Sequence, residues 1–167
     1  MKKIALATLA TVLAAGAAHA APTSGNTSTT QGAATATVVA PIVLTHDEEA
    51  VLNFGTFTVG TGGSVTVDST GAGTLGGDVG EVSGSTNSAD AFSVTGDPDR
   101  SFDIVTTGGE VDNGTDTMEF TTEASDTTGT LDGSGDATFT VGGVLTVAGS
   151  ESEGDYTGSY DATVTYN

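Results

Sequence analysis

The chain is 167 residues long and carries 22 acidic residues against three lysines and arginines, a formal net charge of −19, with no cysteine. A field of that sign repels nucleic-acid phosphates and anionic headgroups, and the missing cysteines rule out a disulfide-held scaffold. Glycine is abundant at 25 residues while aromatics make up only 5%, a profile of many short strands and tight turns with almost no helix.

The first residues read as an address. Met1, Lys2 and Lys3 are basic, residues 4–15 are apolar, and Ala18, His19 and Ala20 form a small-x-small site ahead of Ala21. This is the pattern of a bacterial secretory signal peptide over 1–20, so the expected route is the periplasm and then the cell surface or medium. No stretch reaches the roughly 20 apolar residues that a membrane helix needs, so no membrane span is expected. Loss of 1–20 removes both lysines and leaves Arg100 alone against 22 acids, or 1 − 22 = −21 with histidine neutral. The remaining length suits one domain.

Residues 21–39 read as a polar leader ending in an alternating segment, and 40–167 as the domain. From Ala34 small apolar residues (Ala34, Ala36, Val38) alternate with Thr35, Thr37 and Val39, which is strand writing. Pro41 cannot donate to a ladder, so it either lies on an edge or divides the run; division is favoured, giving a first domain strand over 42–45. Residues 51–59 change phase at Gly55, which suggests a bulge. Short strands come next at 64–68 and 78–83, around a glycine-rich loop over 71–77 that lacks the lysine of a phosphate-binding loop.

Strands over 91–95 and 101–106 flank the turn Gly96, Asp97, Pro98, Asp99 and read as a hairpin with Arg100 at its end. Asp112, Asn113 and Gly114 form a second turn before a strand over 116–122. Residues 129–136 read as loop, and 137–147 as a strand whose phase is reset by Gly142 and Gly143. The last residues alternate again: Tyr160, Ala162, Val164 and Tyr166 fall on one face, and Asp161, Thr163 and Thr165 on the other. The total is about eight or nine strands at spacings of roughly 8 to 12 residues, the mark of an antiparallel immunoglobulin-like sandwich. The apolar halves of the alternations (Phe54, Phe92, Val94, Phe102, Ile104, Phe120, Phe139, Leu145 and Val164) are expected to point inward.

The terminus has two further marks, an aromatic at the penultimate position, Tyr166, and a glycine fourteenth from the end, Gly154 (167 − 13). With these the C-terminal strand resembles that of chaperone–usher pilins. The wider succession of Val39-Ala40-Pro41-Ile42, Leu52-Asn53-Phe54-Gly55, Phe92-Ser93-Val94-Thr95-Gly96, Val141-Gly142-Gly143-Val144-Leu145 and the glycine-tyrosine run from Gly154 to Tyr160 is similar to the domain-of-unknown-function family 4402. That family resembles spore coat protein U and archaic chaperone–usher pilins. The resemblance implies an exported sandwich that assembles by strand addition, and no enzymatic activity. The implied partners are other copies of the chain or related subunits, with a periplasmic chaperone and an outer-membrane usher. The implied assembly residues are Ala34, Ala36 and Val38 as donor, and Gly154, Tyr160, Ala162, Val164 and Tyr166 along the groove.

Catalysis is poorly supplied with parts. After processing, His46 is the only histidine, there is no cysteine or lysine, and no serine lies in a nucleophile elbow, so an enzyme is not expected. No cofactor is called for. The one small-ligand candidate is calcium, at Asp132, Ser134 and Asp136, where oxygen side chains recur at alternate positions but the sixth-position glycine and distal glutamate of an EF-hand are missing. Two functions remain: a structural subunit of a surface fibre or coat, built by donor-strand addition, or a monomeric, self-complemented surface sandwich that binds glycan or calcium.

Overall fold

The computed structural model describes residues 25–167; the signal peptide expected over 1–20 and the start of the leader lie outside the described residues. The chain divides between Thr37 and Val38, and residues 27–42 contain no strand. The domain itself is all-β, with no helix among the described residues.

Among the described residues thirteen strands form: β1 (Val43–His46), β2 (Phe57–Thr58), β3 (Gly63–Val67), β4 (Gly73–Gly77), β5 (Gly80–Glu81), β6 (Asp90–Thr95), β7 (Ser101–Thr106), β8 (Gly109–Asp112), β9 (Thr117–Ala124), β10 (Thr128–Thr130), β11 (Asp136–Val147), β12 (Thr157–Ser159) and β13 (Ala162–Tyr166). All pairings are antiparallel. The main sheet has the order β1-β6-β11-β9-β8-β12, with the β3–β4 pair joined to β11, while β10-β7-β13 form a second sheet and β2–β5 a third.

The organising strand is β11. Its threonines and valines keep one phase for twelve residues, so Phe139, Val141, Leu145 and Val147 are all buried on one face. The double glycine therefore does not reset the phase, contrary to the sequence reading. Its role is lateral: a Cβ on Gly142 would strike the Val67 carbonyl, and one on Gly143 the Thr121 carbonyl. Without those atoms, β3 and β9 both close onto β11.

Five other expectations change. The glycine-rich 71–77 stretch is mostly strand β4, because Leu75 lies opposite Val65 and the turn before it is held by the Asp68 carboxylate, which accepts from the Thr70 and Ala72 amides at 2.8 and 2.9 Å. The segments over 91–95 and 101–106 are strands but not a hairpin. β6 belongs to the main sheet and β7 to the three-stranded one, so the turn between them is a corner joining two layers. That corner is fixed from elsewhere, by Gly96 N to Gly135 O at 2.9 Å and Leu131 N to Arg100 O at 2.9 Å. The expected 51–59 strand is reduced to an Asn53–Ser88 bridge and β2, divided at Gly55, and the 78–83 strand to β5. Part of the 129–136 loop pairs as β10.

The residues expected inside are inside: Phe54, Phe92, Val94, Phe102, Ile104, Phe120, Phe139 and Leu145 are buried, and Val164 is half-buried. They divide into two clusters packed between the main sheet and the layer that covers it, one around Phe120 and Leu145, the other around Phe102 and Val141. Dispersion and water exclusion across these faces hold the layers together without a disulfide. In the lettering of immunoglobulin domains, β1-β6-β11-β9 reproduce the A-B-E-D sheet and β7 and β13 the C-F pair. Among the described residues nothing pairs with the outer edge of β13.

Candidate functional site

The C-terminal stretch is two strands rather than one. β12 pairs with β8 in the main sheet, the chain crosses layers at Tyr160 and Asp161, and β13 pairs with β7 in the second sheet, Val164 opposite Ile104 and Tyr166 opposite Phe102. The alternation is as read: Ala162, Val164 and Tyr166 are half-buried against the second cluster, and Thr163 and Thr165 are exposed.

The direction of the backbone groups is set by the ladder ends. Thr107 N donates to Asp161 O at 2.9 Å and Asn167 N to Ser101 O at 3.1 Å, so the odd-numbered residues of β13 are the ones bonded to β7. The N–H and C=O groups of Ala162, Val164 and Tyr166 consequently face the free edge. Across the seam, β1 is the last strand of the main sheet. Asp47 N donates to Ala91 O, and the same alternation turns the backbone groups of Leu44 and His46 away from β6. Ile42 and Leu44 pack half-buried on the same cluster as Val164. The result is an apolar strip lined on both sides by unpaired backbone donors and acceptors, which is what a β-strand binds.

Each end of this seam is tied by a tyrosine. Tyr166 Oη donates to the Ala40 carbonyl at 3.1 Å and accepts from the Asp97 amide at 2.7 Å. At the other end, Tyr160 Oη donates to Asp90 Oδ2 at 2.7 Å, while Asp90 Oδ1 meets His46 Nε2 at 2.7 Å and the Ala91 amide at 2.8 Å. Asp90 is 4% exposed, so its carboxylate depends on these partners. Burial first, and then the Asp90 carboxylate, push the Tyr160 phenol well above its ordinary pKa. The Tyr160 ring also packs edge-on against Phe92 and Phe120, joining the two clusters.

This histidine–aspartate–tyrosine cluster was missed in the sequence. His46 and Asp90 are 44 positions apart, and Asp90 is one acid among 22. The only available signal was an aspartate at the start of an apolar alternation, where a solvated position would have been expected.

The remaining site residues are scattered. Ala34, Ala36 and Val38 belong to no strand, and Val38 is 95% exposed. Gly154 lies before β12 at φ +152, close to Asn113, and away from β13 in sequence and sheet. In the loop proposed for calcium, Asp132 Oδ1 accepts from the Ser134 and Asp136 amides at 2.7 and 3.0 Å. Those bonds, Asp136 first, hold the carboxyl below its usual pKa and fold it into its own turn. Among the described residues no three histidine, cysteine or acidic side chains gather as a metal group.

None of the curated proteins and none of the solved structures compared with the chain matches it. Residues 44–166, from within β1 to the end of β13, match the model of the family described as Domain of unknown function (DUF4402), and the chain belongs to that family.

Proposed function

We propose that the protein is an exported, pilin-like structural subunit of a surface fibre or coat, and that residues 34–39 of one copy add as a strand to the edge of β13 in the next. The observation that carries this reading is the free edge of β13, with the backbone groups of Ala162, Val164 and Tyr166 turned outward over an apolar strip. The donor segment suits that strip. It is extended in writing, uncharged, and alternates small side chains that fit shallow pockets. A donor and an edge on one chain make a head-to-tail contact that does not close on itself, which builds fibres. The signal-peptide pattern supports export, and a chaperone and usher are the partners that would guard and then fill the edge. The reading assigns no catalysis and no resident cofactor.

The test uses the purified chain from Ala21 onward, followed by size-exclusion chromatography and electron microscopy. The wild type should form linear assemblies. Ala36→Asp or Val38→Asp should leave monomers, because insertion would bury an unpaired charge. A wild type that remains monomeric, with residues 34–39 protected in its own sheet, would replace this reading with the self-complemented binder of glycan or calcium.

A further inference from the structure

The two ends of the seam differ in what they hold. Tyr160 ties two elements deep in the domain, whereas Tyr166 ties the point at which the chain enters it, the Ala40 carbonyl. That contact leaves little spare room. A Cβ on Gly96 would collide with the Tyr166 hydroxyl, and the Arg100 guanidinium lies 5.7 Å from the ring centre while its Nε bonds Asp97 at 2.9 Å. The hydroxyl accepts from Asp97, so its single proton is directed to Ala40.

Ala40 lies beside the end of β13, and His46 is linked through Asp90 to Tyr160 just before its start, so β1 and β13 run in opposite senses along the seam. For residues 34–39 to lie on the edge of their own β13, residue 39 would occupy the three-stranded layer while Val43 stays paired in the main one. The link would be the four residues from 39 to 43, which span at most about 14 Å. It would also have to reverse direction within the same residues, through Pro41 with its fixed φ, and would pull Ala40 from Tyr166. The donor of another copy meets none of these constraints.

Resting on the donor-strand reading above, we propose that Tyr166 directs strand addition between copies: by holding Ala40 at the end of the seam, it denies the donor segment its own groove and leaves it for a second copy. The penultimate tyrosine is thus a positioning residue for assembly as well as a wall of the groove.

The experiment compares three chains from Ala21 onward: wild type, Tyr166→Phe, and a variant with six glycine and serine residues inserted between Val39 and Ala40, which supplies slack without touching Tyr166. The monomer-to-assembly ratio is measured across a dilution series, with amide exchange at positions 162, 164 and 166 in the monomer fraction. The expected result is a several-fold shift toward monomer in Tyr166→Phe and a larger one in the insertion variant, each with edge amides that exchange slowly at every dilution. A merely structural role for Tyr166 would lower the melting temperature with no gain in edge protection, and that outcome overturns the proposal. So does a wild type that assembles alongside two variants that assemble equally well, which leaves the donor-strand reading intact. A wild type that never assembles overturns both.

Discussion

The two halves of the core are covered in different ways. The cluster around Phe120 and Leu145 is roofed by an irregular segment carrying Leu52, Phe57 and Val59, with only the two-residue strands β2 and β5 for regular pairing. The cluster around Phe102 and Val141 is roofed by a proper sheet, β10-β7-β13. The irregular roof satisfies its backbone locally: Gly55 N bonds Asn53 Oδ1, Thr56 N bonds Ser85 Oγ, and Thr61 N bonds Asp78 Oδ2, at 2.8, 2.7 and 3.0 Å. The regular roof cannot do this at its rim. A ladder satisfies a strand only when it has neighbours on both sides, so order on this side of the molecule is what leaves an edge to be filled.

That difference gives three graded ways to break the comparison. The largest effect is expected from Leu145→Ala under the irregular roof. Leu145 is 2% exposed, and its truncation should cost about 2–5 kcal/mol in denaturant melts. In the donor-strand reading the closed half takes no part in strand addition, so assembly of whatever remains folded should be unchanged. An intermediate loss, about 1–3 kcal/mol, is expected from Tyr160→Phe, which leaves a buried carboxylate oxygen without its donor.

The same variant gives a signature in pH. The native phenol keeps its proton above the ordinary tyrosine value of 10.0 while the unfolded one loses it. The unfolded state then binds fewer protons, so the stability due to Tyr160 is complete below pH 10 and declines as pH rises through and above it. Urea melts at alkaline pH should show that decline in wild type and a weaker one in Tyr160→Phe; equal slopes would place the phenol outside the network. The smallest effect on stability is expected at the seam. Val164→Ala removes half-buried carbon worth about 1 kcal/mol, yet it should reduce assembly more than Leu145→Ala does. An unaltered assembly yield would show that the strip along β13 is not the contact.

Much of the fold could be read from the sequence where side chains write it. Period-two alternation located Phe92 and Val94, Phe102 and Ile104, and Val164, because a strand with one wet face must alternate. What the alternation could not carry was partnership. Nothing in the residues around Gly96 to Arg100 distinguishes a hairpin from a corner, since the decision is made by Gly135 and Leu131, far along the chain. The glycine-rich β4 was illegible for a related reason: its strand character is imposed by Val65 and by the Asp68 turn rather than by its own propensity. At the seam the sequence supplied the half-buried residues of β13, and the structure supplied what composition hides, the coupling of His46, Asp90 and Tyr160.

The corner between β6 and β7 has a consequence for how the molecule comes apart. Arg100 is the only lysine or arginine after residue 3, and it ends that corner with its side chain 39% exposed. A trypsin-like protease therefore has one basic cleavage point in the domain, and cutting it divides the polypeptide without dividing the architecture. The first fragment contributes β6, which lies between β1 from its own half and β11 from the other; the second contributes β7, wedged between β10 and β13. The second layer therefore stays whole within the C-terminal fragment, and the two fragments remain joined through the main sheet, where β6 and β3 of the first each lie against β11 of the second.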